Sequence, residues 1–387
     1  MASGVLKAWE ECDKIDTLFV LVCTVFCWTI VPTVGIAYGG YSWRRNGLAS
    51  AIPAVLTIAT CSIQWFMIGY TLAYGEGGWV FGDFKYALHI GVLSEPVGTI
   101  PAILFSEFQL VFEATVCAIA VGGFCTPVHI CSGASASAIS LYLSYPLFRS
   151  RGSEKRTPTH IRLHRPGNSF FQLIALITIW GSWLAFDAGT TLALSFQSVM
   201  ALCVTNLCAS AGALTWACIT YLETKKWSID STFMGAIAGL IMITPAAGFI
   251  DMPTAFCFGI FGALLCRQAL RIKFTDFARR WRWVDNGDTF ATHCVGGVAA
   301  TICTGLFAQK EVAAYGGVEV DGGVFFDGNV RQLWVQVVEV LIGFEVLAPN
   351  DEINAGLDMV QTEETLCDMP NPDEEDYSPM TNGNIEL

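Results

Sequence analysis

Two histidines stand inside long apolar stretches, where an ionisable side chain is rare. They are His129, in Pro127-Val128-His129-Ile130-Cys131-Ser132-Gly133, and His293, in Thr292-His293-Cys294-Val295-Gly296-Gly297. Each has a glycine four positions on, one helical turn away on the same face. Burying a charged group at such depth costs about 2.5–3.5 kcal/mol or more, so each is a functional candidate. A neutral imidazole donates one hydrogen bond and accepts another, and it changes charge near neutral pH, which suits it to passing a proton. The plainer role is a neutral ring bonded to a backbone carbonyl of a neighbouring helix. Two such residues in matching settings, one in each half, point instead to an internal repeat meeting at the membrane midplane.

The elements that must position them are membrane helices. The 387 residues are 53% hydrophobic and 14% charged, with a mean hydropathy of +0.51. Soluble domains carry about 25% charged residues, so this composition belongs to a polytopic all-α membrane protein. It excludes a disordered chain, a nucleic-acid-binding module and a small disulfide scaffold. The 15 cysteines fall singly, mostly in apolar runs, with neither CxxC pairs nor metal-ligand spacing; they read as small buried hydrophobes. No metal or cofactor is expected. Glu10, Glu11, Asp13 and Asp16 precede a first apolar run of full span length, which argues against a cleavable leader.

A span needs about 20 mostly apolar residues. Such runs lie near 17–39, 50–74, 98–124, 128–148, 170–192, 197–222, 230–249, 253–268 and 289–308. A tenth, 331–348, is short and carries Glu339 and Glu345. Residues 76–97 hold Glu76, Asp83, Lys85 and Glu95 and should form an extramembrane loop. Of the net charge of −13, the stretch from residue 349 onward contributes 11 acidic residues and no Lys or Arg. The expected organisation is therefore a transmembrane domain over 1–348 and an acidic tail over 349–387.

Sixteen of the 21 basic residues fall in four clusters: Arg44–Arg45, six between Arg149 and Arg165, Lys225–Lys226, and six between Arg267 and Arg282. Short cytoplasmic loops collect Lys and Arg, so an even number of spans should separate neighbouring clusters. Two spans separate the second from the third, and two the third from the fourth. Three runs separate the first from the second. Either one of them does not cross, or a helix is missing. One span precedes Arg44, which sets the N-terminus outside; the tail is cytoplasmic if 331–348 crosses.

In order along the chain come Gly35-Ile36-Ala37-Tyr38-Gly39-Gly40 followed by Arg45-Asn46, Ile63-Gln64-Trp65-Phe66-Met67-Ile68-Gly69-Tyr70, and Phe108-Gln109-Leu110-Val111-Phe112. Then come Thr126-Pro127-Val128-His129-Ile130, Phe186-Asp187-Ala188-Gly189-Thr190, Ile243-Thr244-Pro245-Ala246-Ala247-Gly248-Phe249, and Asp288-Thr289-Phe290-Ala291-Thr292-His293. With these pieces in this order, roughly residues 10–360 resemble the ammonium transporter family, its fungal permeases in particular. The resemblance implies an eleven-helix protomer of two inverted repeats, a central pore in each protomer, and assembly as a homotrimer or a heterotrimer with paralogues in the plasma membrane. It places the paired pore histidines at His129 and His293 and the stacked gate aromatics at Phe112 and Phe186. Ammonium recruitment falls on Thr190 and Phe108. The implied substrate is ammonium or ammonia, with membrane lipid as the surrounding partner.

The physics agrees. Ammonium matches potassium in size and charge, so size cannot select it. Its N–H donors can be met by a hydroxyl and by aromatic faces, a cation–π contact being worth about 0.5–2 kcal/mol. A bare cation is prohibitively costly in an apolar pore, whereas neutral ammonia is not. Paired imidazoles can hydrogen-bond ammonia and carry its proton separately.

Three features depart from the family. Gly122-Gly123-Phe124-Cys125 runs straight into Thr126-Pro127, where the family has a further helix and an Asp-Phe-Ala-Gly-Gly segment; the Asp would fall near Val121. The fourth helix is thus missing, which the parity count indicates independently. Part of the eleventh is also missing, since Gly343-Phe344 passes directly to Pro349-Asn350-Asp351. Asp187 stands where the family has Asn, and Glu107 and Glu113 lie within the third run. Such losses leave room for an impaired transporter or a transport-deficient sensor of the same family. Ser132 to Ser137 beside His129 imitate a nucleophile motif imperfectly and read as close-packing small residues, so no enzyme is expected. Reading the cDNA across codons 120–130 and 344–350 shows whether the two segments are absent from the transcript.

Overall fold

The computed structural model describes residues 2–41, 47–78, 82–123, 168–276, 278 and 288–345. His129, the 128–148 run, the Ser132–Ser137 stretch, the six-residue basic loop and the acidic tail lie outside them. The described chain is a helical bundle. α1 (Ala2–Glu11) leads to α2 (Lys14–Trp28) and α3 (Ile30–Tyr41), which form one long span. Pro32 cannot donate to the carbonyl one turn back, so the span breaks at Thr29. The Thr29 hydroxyl donates to Phe26 O at 2.7 Å there. α4 (Gly47–Gln64), a π turn (Trp65–Gly69) and α5 (Tyr70–Tyr74) make the second span.

α6 (Ala102–Gly123) follows a loop that closes in a two-stranded hairpin, β1 (Pro96–Val97) with β2 (Ile100–Pro101). Gly98 takes φ +57° in its turn. The third span therefore starts four residues later than the hydrophobicity alone indicates. α7 (Ser169–Gly189), α8 (Phe196–Thr224), α9 (Ile229–Ile243) and α10 (Met252–Ala269) come next. Another π turn (Phe290–Val295) leads into α11 (Gly296–Phe307). α12 (Lys310–Ala314), α13 (Val324–Asp327) and α14 (Val330–Glu345) complete the described chain.

Eight helices among the described residues are long and apolar enough to span a bilayer. They coincide with eight of the nine full-length runs. The short tenth run does form a helix, α14, whose 16 described residues rise about 24 Å. Residues 82–97, as expected, form turns and a strand rather than a span.

The ends of the helices fix their direction. At one end Asn168 N donates to Gly40 O at 3.1 Å, Gln172 reaches Asp230, Arg267 pairs with Glu223 and Lys273 pairs with Asp288. In sequence these residues adjoin all four basic clusters. At the opposite end Asp13 N donates to Thr99 O at 2.8 Å. Asp16 there accepts from Thr99 Oγ1 at 2.7 Å and from Leu194 N at 2.9 Å. α6 starts at that opposite end and runs toward the basic end, where α7 begins.

Packing relies on small residues where α8 meets α9 and α10. A Cβ on Gly239 would lie 2.6 Å from Cys208 O and 2.9 Å from Ala209 Cα, and one on Gly235 would lie 2.7 Å from Trp216 Cβ. Between helices in lipid, backbone approach of this kind replaces the hydrophobic drive. Because the first obstacle is backbone, even one added methyl must move a helix. We expect Gly239→Val to cost about 1–3 kcal/mol and to lower the thermal unfolding midpoint of the purified protein, with Gly239→Ala lowering it less. An unchanged midpoint contradicts the close α8–α9 approach.

Candidate functional site: a track along α7

α7 carries Gln172, Leu176, Ile179, Trp183, Phe186 and Thr190 at alternating spacings of four and three, one continuous face. Asn168 caps the helix, its carboxamide oxygen accepting from Phe170 N at 3.0 Å and from Phe171 N. From Gln172 to Thr190 the face rises about 27 Å, close to the thickness of a bilayer core.

At the end away from the basic loops, Thr190 is exposed and its hydroxyl donates to Phe186 O at 2.7 Å. The oxygen lone pairs remain able to accept. Just below, Phe108 is fully buried and meets Phe112 edge-on, ring centroids 5.0 Å apart. It also packs on Gly189, where a Cβ would come 2.9 Å from its ring. Phe112 lies over Phe186 with centroids 4.1 Å apart and ring planes 30° apart. Phe186 in turn packs against Trp183 at 5.6 Å.

Trp183 begins a narrow cavity of about 50 Å³, enough for a few water-sized molecules. Its wall includes Tyr38, Tyr41, Ile119, Phe233 and His293. His293 is 8% exposed and sits in the π turn Phe290–Val295, an insertion that displaces one residue from regular helical register. Thr292 anchors the same turn, its hydroxyl donating to Asp288 O at 2.8 Å. Trp183 Nε1 donates to Thr244 Oγ1 at 2.9 Å, where α9 ends ahead of Pro245. The indole is thereby held in place between the aromatic pair and the histidine.

Of the residues singled out by sequence, Phe108, Phe112, Phe186 and Thr190 gather at one level, and His293 lies in the cavity beyond Trp183. His129 lies outside the described residues. Asp187 does not join the aromatic pair's stacking; it is buried on the α8 side, accepting from Thr205 Oγ1 at 2.6 Å, with its other oxygen unpartnered among the described residues. Glu107 is exposed, and Glu113 keeps one buried oxygen without a partner. Sequence reasoning missed Trp183 as a wall residue, although its three-residue spacing from Phe186 was available. It also missed Tyr38, Tyr41 and Gln172, whose convergence depends on packing between α3 and α7. His89 was overlooked too: it bonds Ser106 Oγ at 2.8 Å and stacks on Tyr70 at 5.3 Å in the loop ahead of the hairpin.

Comparison with known proteins agrees with this arrangement. The model of the Ammonium Transporter Family matches residues 18–150 and 120–348. The two matches overlap at 120–150, so the chain is not colinear with the family there. Ammonium transporter 1 of Schizosaccharomyces pombe is 28% identical over 371 positions, covering 83% of this chain and 71% of the relative. The ammonium transporter of Bacillus subtilis is 28% identical over 372 positions, covering 84% and 87%. The crystal structure of Candida albicans Mep2 superposes with a TM-score of 0.78 at 28% identity, covering 94% of this chain and 88% of that one. The fold is that of an integral membrane transporter, and the kinship supports ammonium transport. With matches extending over most of its length, this chain belongs to the Ammonium Transporter Family.

Proposed function

We propose that the protein moves ammonium across the plasma membrane, passing it as ammonia through the track along α7. The observation that carries this reading is the unbroken succession Thr190, Phe186, Trp183 and the His293 cavity on one helix face. In this mechanism ammonium meets the Thr190 hydroxyl and the Phe108 ring, which replace part of its hydration. The cation–π contact contributes about 0.5–2 kcal/mol. The Phe112–Phe186 stack admits no hydrated ion, and its apolar surroundings disfavour a bare one. Ammonium therefore gives up its proton to water at the exposed Thr190 end and passes the stack as ammonia.

Beyond Trp183 the imidazole of His293 hydrogen-bonds the ammonia. His129 completes the pair and shares the return of the proton to the other side. Potassium has no proton to give up, so it is excluded by chemistry rather than diameter. Thr190 then faces outside, the basic end faces the cytoplasm, and the N-terminus is external. Residues 1–348 serve as the transmembrane domain and 349–387 as a cytoplasmic tail. The family resemblance implies that three such protomers assemble, as copies or with paralogues, surrounded by membrane lipid.

Two outcomes test the reading in a strain lacking ammonium uptake, using labelled methylammonium. Thr190→Ala removes one acceptor, worth about 0.5–1.5 kcal/mol, and is expected to raise the half-saturating concentration about two- to tenfold with little change in maximal rate. An unchanged value removes Thr190 from recruitment. His293→Ala, alone or with His129→Ala, is expected to abolish uptake with the protein still at the membrane. Uptake that survives the double replacement ends the histidine relay. Ammonium binding by a wild type that gives no uptake favours a sensor instead.

A further inference from the structure

α8 is the longest of the described helices, 29 residues from Phe196 to Thr224. It rises about 44 Å, more than a hydrocarbon core of about 30 Å and close to a bilayer with its headgroup layers. A helix of this length carries its ends into those layers. Lys225 takes φ +59° and closes the helix, its N–H donating to Tyr221 O at 2.8 Å. Lys226 N donates to Thr224 Oγ1 at 3.3 Å, and the Ser228 hydroxyl caps the start of α9.

Side chains also order this turn. The Tyr221 and Trp227 rings stack with centroids 4.7 Å apart and planes 18° apart, and Lys225 Nζ lies 6.0 Å from the Tyr221 ring. Both lysines are exposed, and neither enters an ion pair among the described residues. Glu223, the adjoining carboxylate, is engaged by Arg267. The apolar part of the turn is equally open, with Leu222 67% exposed and Trp227 65%. Leu214, Cys218 and Leu222 follow at steps of four, an exposed apolar stripe that runs along α8 to the lysines.

Orienting a helix pair in the membrane takes only the basic residues. It needs neither a stacked aromatic pair nor an apolar stripe that ends at unpaired charges. That combination matches an amphipathic ligand whose charge lies at the depth of the lysines and whose chains follow the stripe. Lysine stems lie along apolar surface with the ammonium at headgroup level, and indole rings favour the same layer. A water-soluble acidic peptide would meet the lysines and leave Leu222 and Trp227 uncovered.

We infer that the turn between α8 and α9 binds one anionic phospholipid, Lys225 and Lys226 meeting its headgroup and Leu222 and Trp227 lying against the tops of its acyl chains. Net negative charge is favoured because the two ammonium groups have no carboxylate of their own. This surface is separate from the track along α7, and the inference stands whether or not that track conducts.

The test uses the full chain in phosphatidylcholine vesicles holding a small fraction of phosphatidylserine with a photoactivatable group at the top of one acyl chain. Labelling is expected at Leu222 and Trp227, displaced by unlabelled phosphatidylserine and not by inorganic phosphate. A phosphatidylcholine probe of the same design is expected to label the turn far less. Lys225→Gln or Lys226→Gln is expected to lower the labelling about fivefold, and the two together about thirtyfold, with the unfolding midpoint unchanged. Equal labelling by the phosphatidylcholine probe, or labelling that survives the double replacement, overturns the site. So does an unlabelled wild type, the result if the acidic tail or a second copy covers the turn. Uptake plays no part in this readout, so its failure is distinct from failure of the pore.

Discussion

The contact of Phe112 with Phe186, centroids 4.1 Å apart, is the constraint around which the remaining parts make sense. In the proposed mechanism these two aromatic faces leave no passage for a hydrated ion, and stripping an ion without replacing its ligands is too costly. Each neighbouring feature addresses one side of that problem. In that mechanism exposed Thr190 supplies a hydroxyl oxygen and Phe108, buried beside Gly189, supplies a ring. Trp183, tethered to Thr244, braces the inner ring and opens into a cavity with a polar side chain, His293, in its wall. The α7 face unites these roles because one helix registers them all, so their spacing along the membrane normal does not depend on mobile loops.

Much of this was legible in the sequence, for physical reasons. Spans are readable because lipid forces the backbone to satisfy itself, and the full-length runs within the described residues all emerge as helices. Phe186 and Thr190 are separated by one turn, so their common face follows from periodicity. Other parts were not legible. Gln172 and Asp230 are 58 residues apart, and nothing local indicates that α7 and α9 bring them together. The π turn at His293 has no sequence signature as clear as a proline or a cap. The late start of α6 depends on a hairpin whose turn residue, Gly98, stands in a stretch marked mainly by charge. Asp187 shows the opposite limit. It follows Phe186 directly in sequence, yet a step of 100° along the helix turns it to Thr205 and the α8 interface.

Residues 120–150 are where the pattern of basic residues and the comparison with the family meet. Basic residues demand an even number of crossings between Arg45 and Arg149. Among the described residues, the end of α6 and the start of α7 lie at one end of the bundle. The family match breaks within 120–150. Aligning 83% of 387 residues, about 321, requires 371 positions against the S. pombe relative, so about 50 positions of that relative face gaps. That is about the length of two spans. The described bundle nevertheless retains the aromatic pair, the His293 cavity and the complete α7 face. The site therefore draws chiefly on helices that the lost segments do not supply.

The central claim is that selection is by deprotonation at a dry constriction. It is tested most directly in proteoliposomes holding the purified wild-type protein, by comparing fluxes driven by equal inward gradients of ammonium and of potassium. The account predicts a protein-dependent ammonium flux and no protein-dependent potassium flux, because only ammonium can leave its charge behind. Potassium entering at a rate comparable to ammonium would contradict it, since the Phe112–Phe186 contact would then be passing a bare or hydrated cation.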